Sequence, residues 1–269
     1  MQTKYFCSTW GMSGDLRADL AKIKQAGYDG VETGIPSKAK ERALLKSLLA
    51  DLDLLLIVQQ WTDGETADAH CNSFKRQYEA ALPFTPLLVN SHSGKDFYSL
   101  QDNLKIFNYA AKLEDKHAVP IAHEIHRGRP TFSTMSTMAL LDALPDLKLV
   151  ADFSHWCCVH ESLLQNQQQA LLRAAQNSVH IHARVGYMEG PQIPDPRDPA
   201  WQQHVDIHLG WWQETVDRRQ KDGSKIVTIC PEFGPAPYML KRPFRGEPIA
   251  EQWEINLFMM RFLKKRLKV

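Results

Sequence analysis

The chain has 269 residues, of which 43% are hydrophobic and 23% charged, proportions of an ordinary folded protein that exclude wholesale disorder, a collagen-like repeat and a disulfide scaffold. Lys and Arg number 32 against 31 Asp and Glu, a formal net charge of +1, so no whole-molecule field draws the chain to a nucleic-acid backbone or an anionic membrane. Five cysteines without a CxxC pair speak against a thiolate zinc site and suit a reducing cytoplasm.

Taken in chain order, the N-terminal MQTKYFCSTWGM carries no apolar leader core, and the longest apolar run, Leu52 to Val58, is interrupted by Asp53, so no membrane association is expected. Short runs rich in Val, Ile and Leu then alternate with longer amphipathic stretches. Strands are predicted at Lys4–Thr9, Gly30–Thr33, Leu54–Gln59, Leu87–Ser91, Val119–Ile125, Lys148–Asp152, Val179–Ala183 and Ile226–Pro231, each followed by a helix. The clearest helices are Asp15–Ala26, with Leu16, Leu20 and Ile23 on one face and Gly27 at its end, and Glu251–Leu267. Eight such units without an internal boundary predict an α/β fold, a single-domain (β/α)8 TIM barrel over residues 1–269. One connection departs from the rhythm: Arg184–Ala200, rich in Gly and Pro, is a predicted lid or binding loop.

Barrel enzymes carry their chemistry at the C-terminal ends of the strands, and the ionisable residues gather there. The fifth strand ends in HEIHRGR, the sixth in ADFSHW; the seventh carries HIHAR and the eighth ends in CPEFG. Alternation along a strand puts Glu124 on one face with His126, and His180 with His182 and Arg184, leaving Val179, Ile181 and Ala183 toward the helices. A lone strand-end His or Asp is more often a hydrogen-bonded structural group. Four consecutive strands each ending in a possible ligand are harder to explain that way: Glu124, Asp152 and Glu232 buried together repel one another unless a cation neutralises them. Two glutamates, one aspartate and one imidazole suit Mn2+ best, with Mg2+, Co2+ or Zn2+ as alternatives. Trp10, Trp61 and Trp156 follow the first, third and sixth strands, where indole faces could pack on a sugar. His92 and Lys95 follow the fourth, and Glu32 ends the second.

These strand ends resemble those of the xylose isomerase-like, or sugar phosphate isomerase/epimerase, superfamily of TIM barrels. The resemblance rests on Glu124 closing the fifth strand, Asp152-Phe153-Ser154-His155 after the sixth, His180-Ile181-His182 on the seventh and Glu232 on the eighth. It implies one divalent metal per chain held by Glu124, Asp152, His182 and Glu232, with Glu124 and Glu232 as the catalytic acid/base pair. The substrate would be a ketose or keto-sugar, phosphorylated or not, converted by proton transfer through a metal-stabilised enediolate. His155 and Arg184 would contact substrate oxygens, although related epimerases place their arginine further beyond the seventh-strand histidine. His92, His126, Arg127, Trp10, Trp61 and His180 complete the expected substrate contacts. A keto-sugar lyase or dehydratase using the same metal and carboxylates is the alternative; an AP-endonuclease-like phosphodiesterase is a lesser one, since the loop Pro194-Asp195-Pro196-Arg197 lacks that branch's Asp-x-His pair. A small-molecule partner, no nucleic acid, a cytoplasmic location and a homo-oligomer are expected.

Overall fold

Eight short runs of branched and aromatic residues, each too short to bury both faces alone, close on one another in a computed structural model that describes residues 1–269. The strands are β1 (Gln2–Ser8), β2 (Gly30–Thr33), β3 (Leu55–Trp61), β4 (Leu88–His92), β5 (Ile121–Glu124), β6 (Leu149–Ala151), β7 (Ser178–His182) and β8 (Ile226–Cys230). All neighbours are parallel and in chain order, and β1 pairs with β8 to close the barrel, as the alternating pattern predicts. The helices are α1 (Leu16–Gln25), α2 (Ala39–Asp51), α3 (Ala67–Ala81), α4 (Leu100–His117), α5 (Thr134–Ala143), α6 (Ser154–Val159), α7 (Gln168–Asn177), α8 (Gln202–Lys221) and α9 (Gln252–Arg266). Side-chain caps start several of them: Asp15 accepts from the amides of Arg17 and Ala18, and Ser133 and Ser136 form a reciprocal box before α5.

Inside the barrel the side chains lie in storeys. Phe6, Ile57, Leu88, Ala122, Val150 and Cys230 form an apolar interior cluster. Gly30 makes room for it, because a Cβ there would stand 2.4 Å from the Phe6 ring and 2.5 Å from the Leu55 carbonyl. Buried polar groups of the strands, Glu32, Asn90, Glu124, His180 and His182 among them, make up the storey that reaches the C-terminal mouth. Ile181 and Ala183 join the outer core under the helices, but Val179 packs against the interior cluster, beside the shift in register between Leu149 and Val150 where β6 meets β7.

The Arg184–Ala200 connection does not have the character of a lid. Val185 and Ile193 are fully buried, and the Ile193 amide donates to the Val185 carbonyl at 2.8 Å. Tyr187 and Gly190 bridge antiparallel, and the Gln192 side chain clasps the Gly234 backbone, accepting from its amide at 2.7 Å and donating to its carbonyl at 3.2 Å. The segment is a fixed strap; its Gly and Pro residues shape turns around two apolar anchors.

Candidate functional site

At the mouth of the barrel, Glu124 from the end of β5, Asp152 just past β6, His182 from the end of β7 and Glu232 just past β8 each offer one ligand atom, all within 4.8 Å of one another and all buried. Each is fixed from outside the cluster. Asn90 on β4 donates from one amide nitrogen to Glu124 at 2.7 Å and to Glu32 at 2.9 Å. His92 Nε2 lies 3.0 Å from Glu124, its ring stacked on Trp61 with centroids 3.4 Å apart. Gln59 donates to Glu232 at 3.3 Å. Asp152 accepts from the Ser154 amide at 3.2 Å and from the Ser154 hydroxyl, which places it at the start of α6 with His155 in the first turn.

Glu32 decides how His182 presents itself. Its carboxylate lies 3.0 Å and 3.1 Å from His182 Nε2 and 3.1 Å from His180 Nε2. The Nε2 proton of His182 is thus directed at Glu32, and Nδ1 is turned into the cluster, 3.0 Å from Glu232 and 3.3 Å from Glu124, without an aligned hydrogen bond to either. A carboxylate behind one ring nitrogen, with the other facing acidic oxygens, is the arrangement that orients a metal-binding histidine.

The electrostatics follow from four buried carboxylates in one space. Burial pushes Glu32 up, but the imidazoles of His182 and His180 overcome it and hold the carboxyl well below its usual range. Glu124 is likewise opposed by burial and brought well below by His92 and His182. Asp152 goes the other way: burial, only partly offset by Arg184 and reinforced by Glu124, pushes it up to about 7. His182 is held well above its ordinary value, since Glu232, Glu32 and Glu124 outweigh burial. The one guanidinium among them, Arg184, is 1% exposed, pairs with Asp152 and stands 3.5 Å from Glu232. It also donates to His155 Nε2 at 2.8 Å. Arg184 and the raised His182 are two cations against four carboxylates, so the space keeps a negative excess, and Nδ1 of His182 faces into it. The donor set therefore fits a divalent cation of hard or borderline character.

A cavity of about 430 Å³ opens onto the cluster, with Glu124 and Glu232 in its floor and Trp10, Trp61, His92, His126, Arg184 and Tyr238 in its walls, within the size range of small-molecule sites. A larger one, about 550 Å³, lies between α1 and the start of α9 and contains none of the four clustered residues. Of the substrate contacts expected from sequence, Trp10, Trp61, His92, His126 and Arg184 line the smaller cavity. Arg127 is exposed at its rim, and His155 lies fully buried behind it. His180 is lower still, its Nδ1 against the Thr228 carbonyl at 3.0 Å and its Nε2 on Glu32, and it does not line the cavity. Lys95 is not in the wall either, and Trp156 is in the core, donating to the Thr131 carbonyl at 3.0 Å. Sequence reasoning overlooked Tyr238, Gln59, Thr9 and Asn90. Parity along β3 and β4 was a signal for Gln59 and Asn90, which stand at the same level; Tyr238 lies in a long loop and gave none.

A family model described as a xylose isomerase-like TIM barrel matches residues 20–190. No curated protein matches the sequence. Among solved structures, the fold is similar to a D-tagatose 3-epimerase-like protein (TM-score 0.65, 13% identity, 97% of each chain covered). It is similar also to the probable 3-DHS dehydratase AsbF of Bacillus anthracis (TM-score 0.63, 14% identity, 98% of this chain and 99% of that one). Endonuclease IV from Thermus thermophilus (TM-score 0.58, 13% identity, 98% and 99%) shares it as well. These are likenesses of fold, and one fold hosts several chemistries, so the side chains must choose among them.

Proposed function

Because this chain belongs to the xylose isomerase-like TIM barrel family, we propose that it is a divalent-metal-dependent isomerase or epimerase acting on a ketose or keto-sugar. The observation that carries this reading is the convergence of Glu124, Asp152, His182 and Glu232 within 4.8 Å beneath a cavity of sugar size. These four residues would hold one ion, manganese being favoured by three oxygen donors and one imidazole. When bound, the cation supplies electrostatic stabilisation for negative charge developing on the substrate's carbonyl and hydroxyl oxygens.

The chain's own groups supply the rest. One of Glu124 and Glu232, ionised, would take the proton from the carbon next to the carbonyl, and the other, entering the step as its protonated acid, would return a proton from its own side, so that the two exchange protonation states. His92 and Asn90 fix Glu124, and Gln59 and Arg184 fix Glu232, so neither carboxylate has to reorganise during the transfer. Arg184, in the cavity wall, is placed to meet substrate oxygens, and neutral His155 behind it, kept well below its ordinary value by burial, His126 and Arg184, accepts from the guanidinium at 2.8 Å and holds it there. In the strap Asp195 is engaged with Arg197 at 2.6 Å and no histidine follows it there, so the Asp-x-His pair of the phosphodiesterase branch has no counterpart, which argues against that reading.

Metal content per chain after reloading with Mn2+ tests the centre: about one ion in wild type, lost in Asp152→Asn and His182→Ala, is expected. Incubation of keto-sugars in deuterated water tests the chemistry. Solvent deuterium should enter the carbon next to the carbonyl, and Glu232→Gln should slow this by about 10²–10⁴-fold. Exchange at the wild-type rate in that variant would remove the acid/base assignment, and loss of one water from the product would replace isomerisation by elimination with the same carboxylates.

A further inference from the structure

Three guanidiniums lie in or beside the cavity: Arg184 lines it, and Arg127 and Arg129 lie over the rings of two of its lining residues, Tyr238 and Trp61; of the three, Arg184 is the one paired with carboxylates. Arg184 belongs to the acidic cluster. Arg127 and Arg129 come from the turn after β5, where the Arg129 amide donates to the His126 carbonyl at 3.1 Å and Gly128 takes the left-handed φ of +76° that lets the chain reverse there. Neither has a carboxylate within ion-pairing distance; the nearest acidic influences on Arg129 are Glu124, in the floor, and Asp96, in the loop after β4. Arg129 is half-buried all the same, one nitrogen donating to the Gly94 carbonyl at 3.0 Å.

Both guanidiniums lie against walls of the cavity. Arg127 stands 5.1 Å from the centre of the Tyr238 ring and Arg129 5.4 Å from that of Trp61. His126 and His155 fill the space between those two aromatic walls, their rings 3.9 Å apart and in contact with Trp61 and Tyr238 respectively. A guanidinium lying over a ring keeps its in-plane N–H edges free to grip two oxygens of one group. Arg127 and Arg129 are two residues apart in the chain and each lacks a carboxylate partner, so an anion at the rim would meet two uncompensated positive charges. The neutral hydroxyls of a plain sugar do not neutralise them.

We propose that Arg127 and Arg129 form an oxyanion subsite at the cavity rim, so that the substrate carries a carboxylate or phosphate at the end remote from its carbonyl. The acidic floor takes the polyol end through a cation, the rim takes the anionic end, and the 430 Å³ between them sets the length of the molecule. This rests on the keto-sugar reading above and narrows it to anionic keto-sugars.

The test compares three probes that share a ketohexose frame, D-fructose, D-fructose 6-phosphate and D-fructuronate, by calorimetry on the manganese-loaded full chain. The same samples are analysed for metal. Wild type should bind at least one of the two anions about tenfold tighter than fructose, and which anion it is separates phosphate from carboxylate. In the double variant Arg127→Ala/Arg129→Ala that preference should fall to within about twofold, with metal content and thermal midpoint unchanged. Equal binding of all three, no binding of either anion at tens of millimolar, or a preference that survives in the double variant overturns the subsite. Absence of metal from wild type instead overturns the proposed function, and the anion preference is read independently of it.

Discussion

His182 is gripped by carboxylates on both ring nitrogens, and this dictates how the site must respond to pH. The metal-free imidazole is held well above its ordinary value, so near neutrality it carries a proton on the same nitrogen that a cation would use. Asp152, pushed up to about 7, holds part of a second. A cation must displace these protons, so Mn2+ affinity is expected to rise with pH between about 6 and 8 and to release between one and two protons on binding. Glu32→Gln removes one of the charges that holds His182 up and weakens the grip that turns Nδ1 inward. Affinity should then fall by about 10–100-fold, with fewer protons released at pH 7. Calorimetry in two buffers of different ionisation enthalpy reads both quantities; a pH-independent affinity, or a Glu32→Gln variant indistinguishable from wild type, would show that Glu32 does not position this ligand.

The strap after β7 matters at the scale of elements because it ties three of them to the site. Gly186 lies so close to the start of α6 that a Cβ would stand 2.5 Å from the Ser154 carbonyl and 2.7 Å from its Cα. Its amide donates to His208 Nε2 of α8 at 3.0 Å. Ser154 in turn holds both Asp152 and Arg184. Gly186→Ala must therefore push the strap off α6, with an expected loss of about 1–3 kcal/mol and a weakened metal site. Denaturant unfolding and metal titration check the pair, and unchanged values in both would mean that the contact is soft. The same strap shows where sequence reading stopped. Its Gly and Pro residues were legible and its apolar anchors were not, because Val185 and Ile193 follow neither a two-residue nor a 3.6-residue period. The strands were legible to within a few residues, since alternation and branched residues mark them. Glu124, Asp152, His182 and Glu232 were legible as well, because a barrel sends every strand end to one rim. Tyr238 was not, since its position depends on how the β8–α9 connection folds back over Trp10, against which its ring packs at 5.0 Å.

Across the whole molecule, the burial of so many imidazoles sets a limit on the acid side. Burial holds His123 and His208 down to about 3, His126 to about 3 with help from His92, and His155 well below its ordinary value. Each binds a proton in the unfolded chain below about pH 6.5 while remaining neutral in the folded one. The unfolded state then holds more protons, so stability must fall as pH drops from about 6.5 toward the folded values, by about 1.4 kcal/mol per pH unit for each such histidine. Asp152 works against this between about pH 4 and 7, because its raised value makes the folded chain the better proton acceptor there. His123 isolates the effect, since it lies away from the metal cluster, stacked at 4.0 Å on Phe107 with its Nδ1 unpartnered. His123→Leu keeps an apolar side chain of similar bulk on that ring and removes the proton site. Urea unfolding between pH 7 and 5 should therefore show a slope flatter than wild type by about one proton, and the variant should gain on wild type as the pH falls. A slope equal to wild type would place the acid sensitivity elsewhere, in the histidines that surround the cavity.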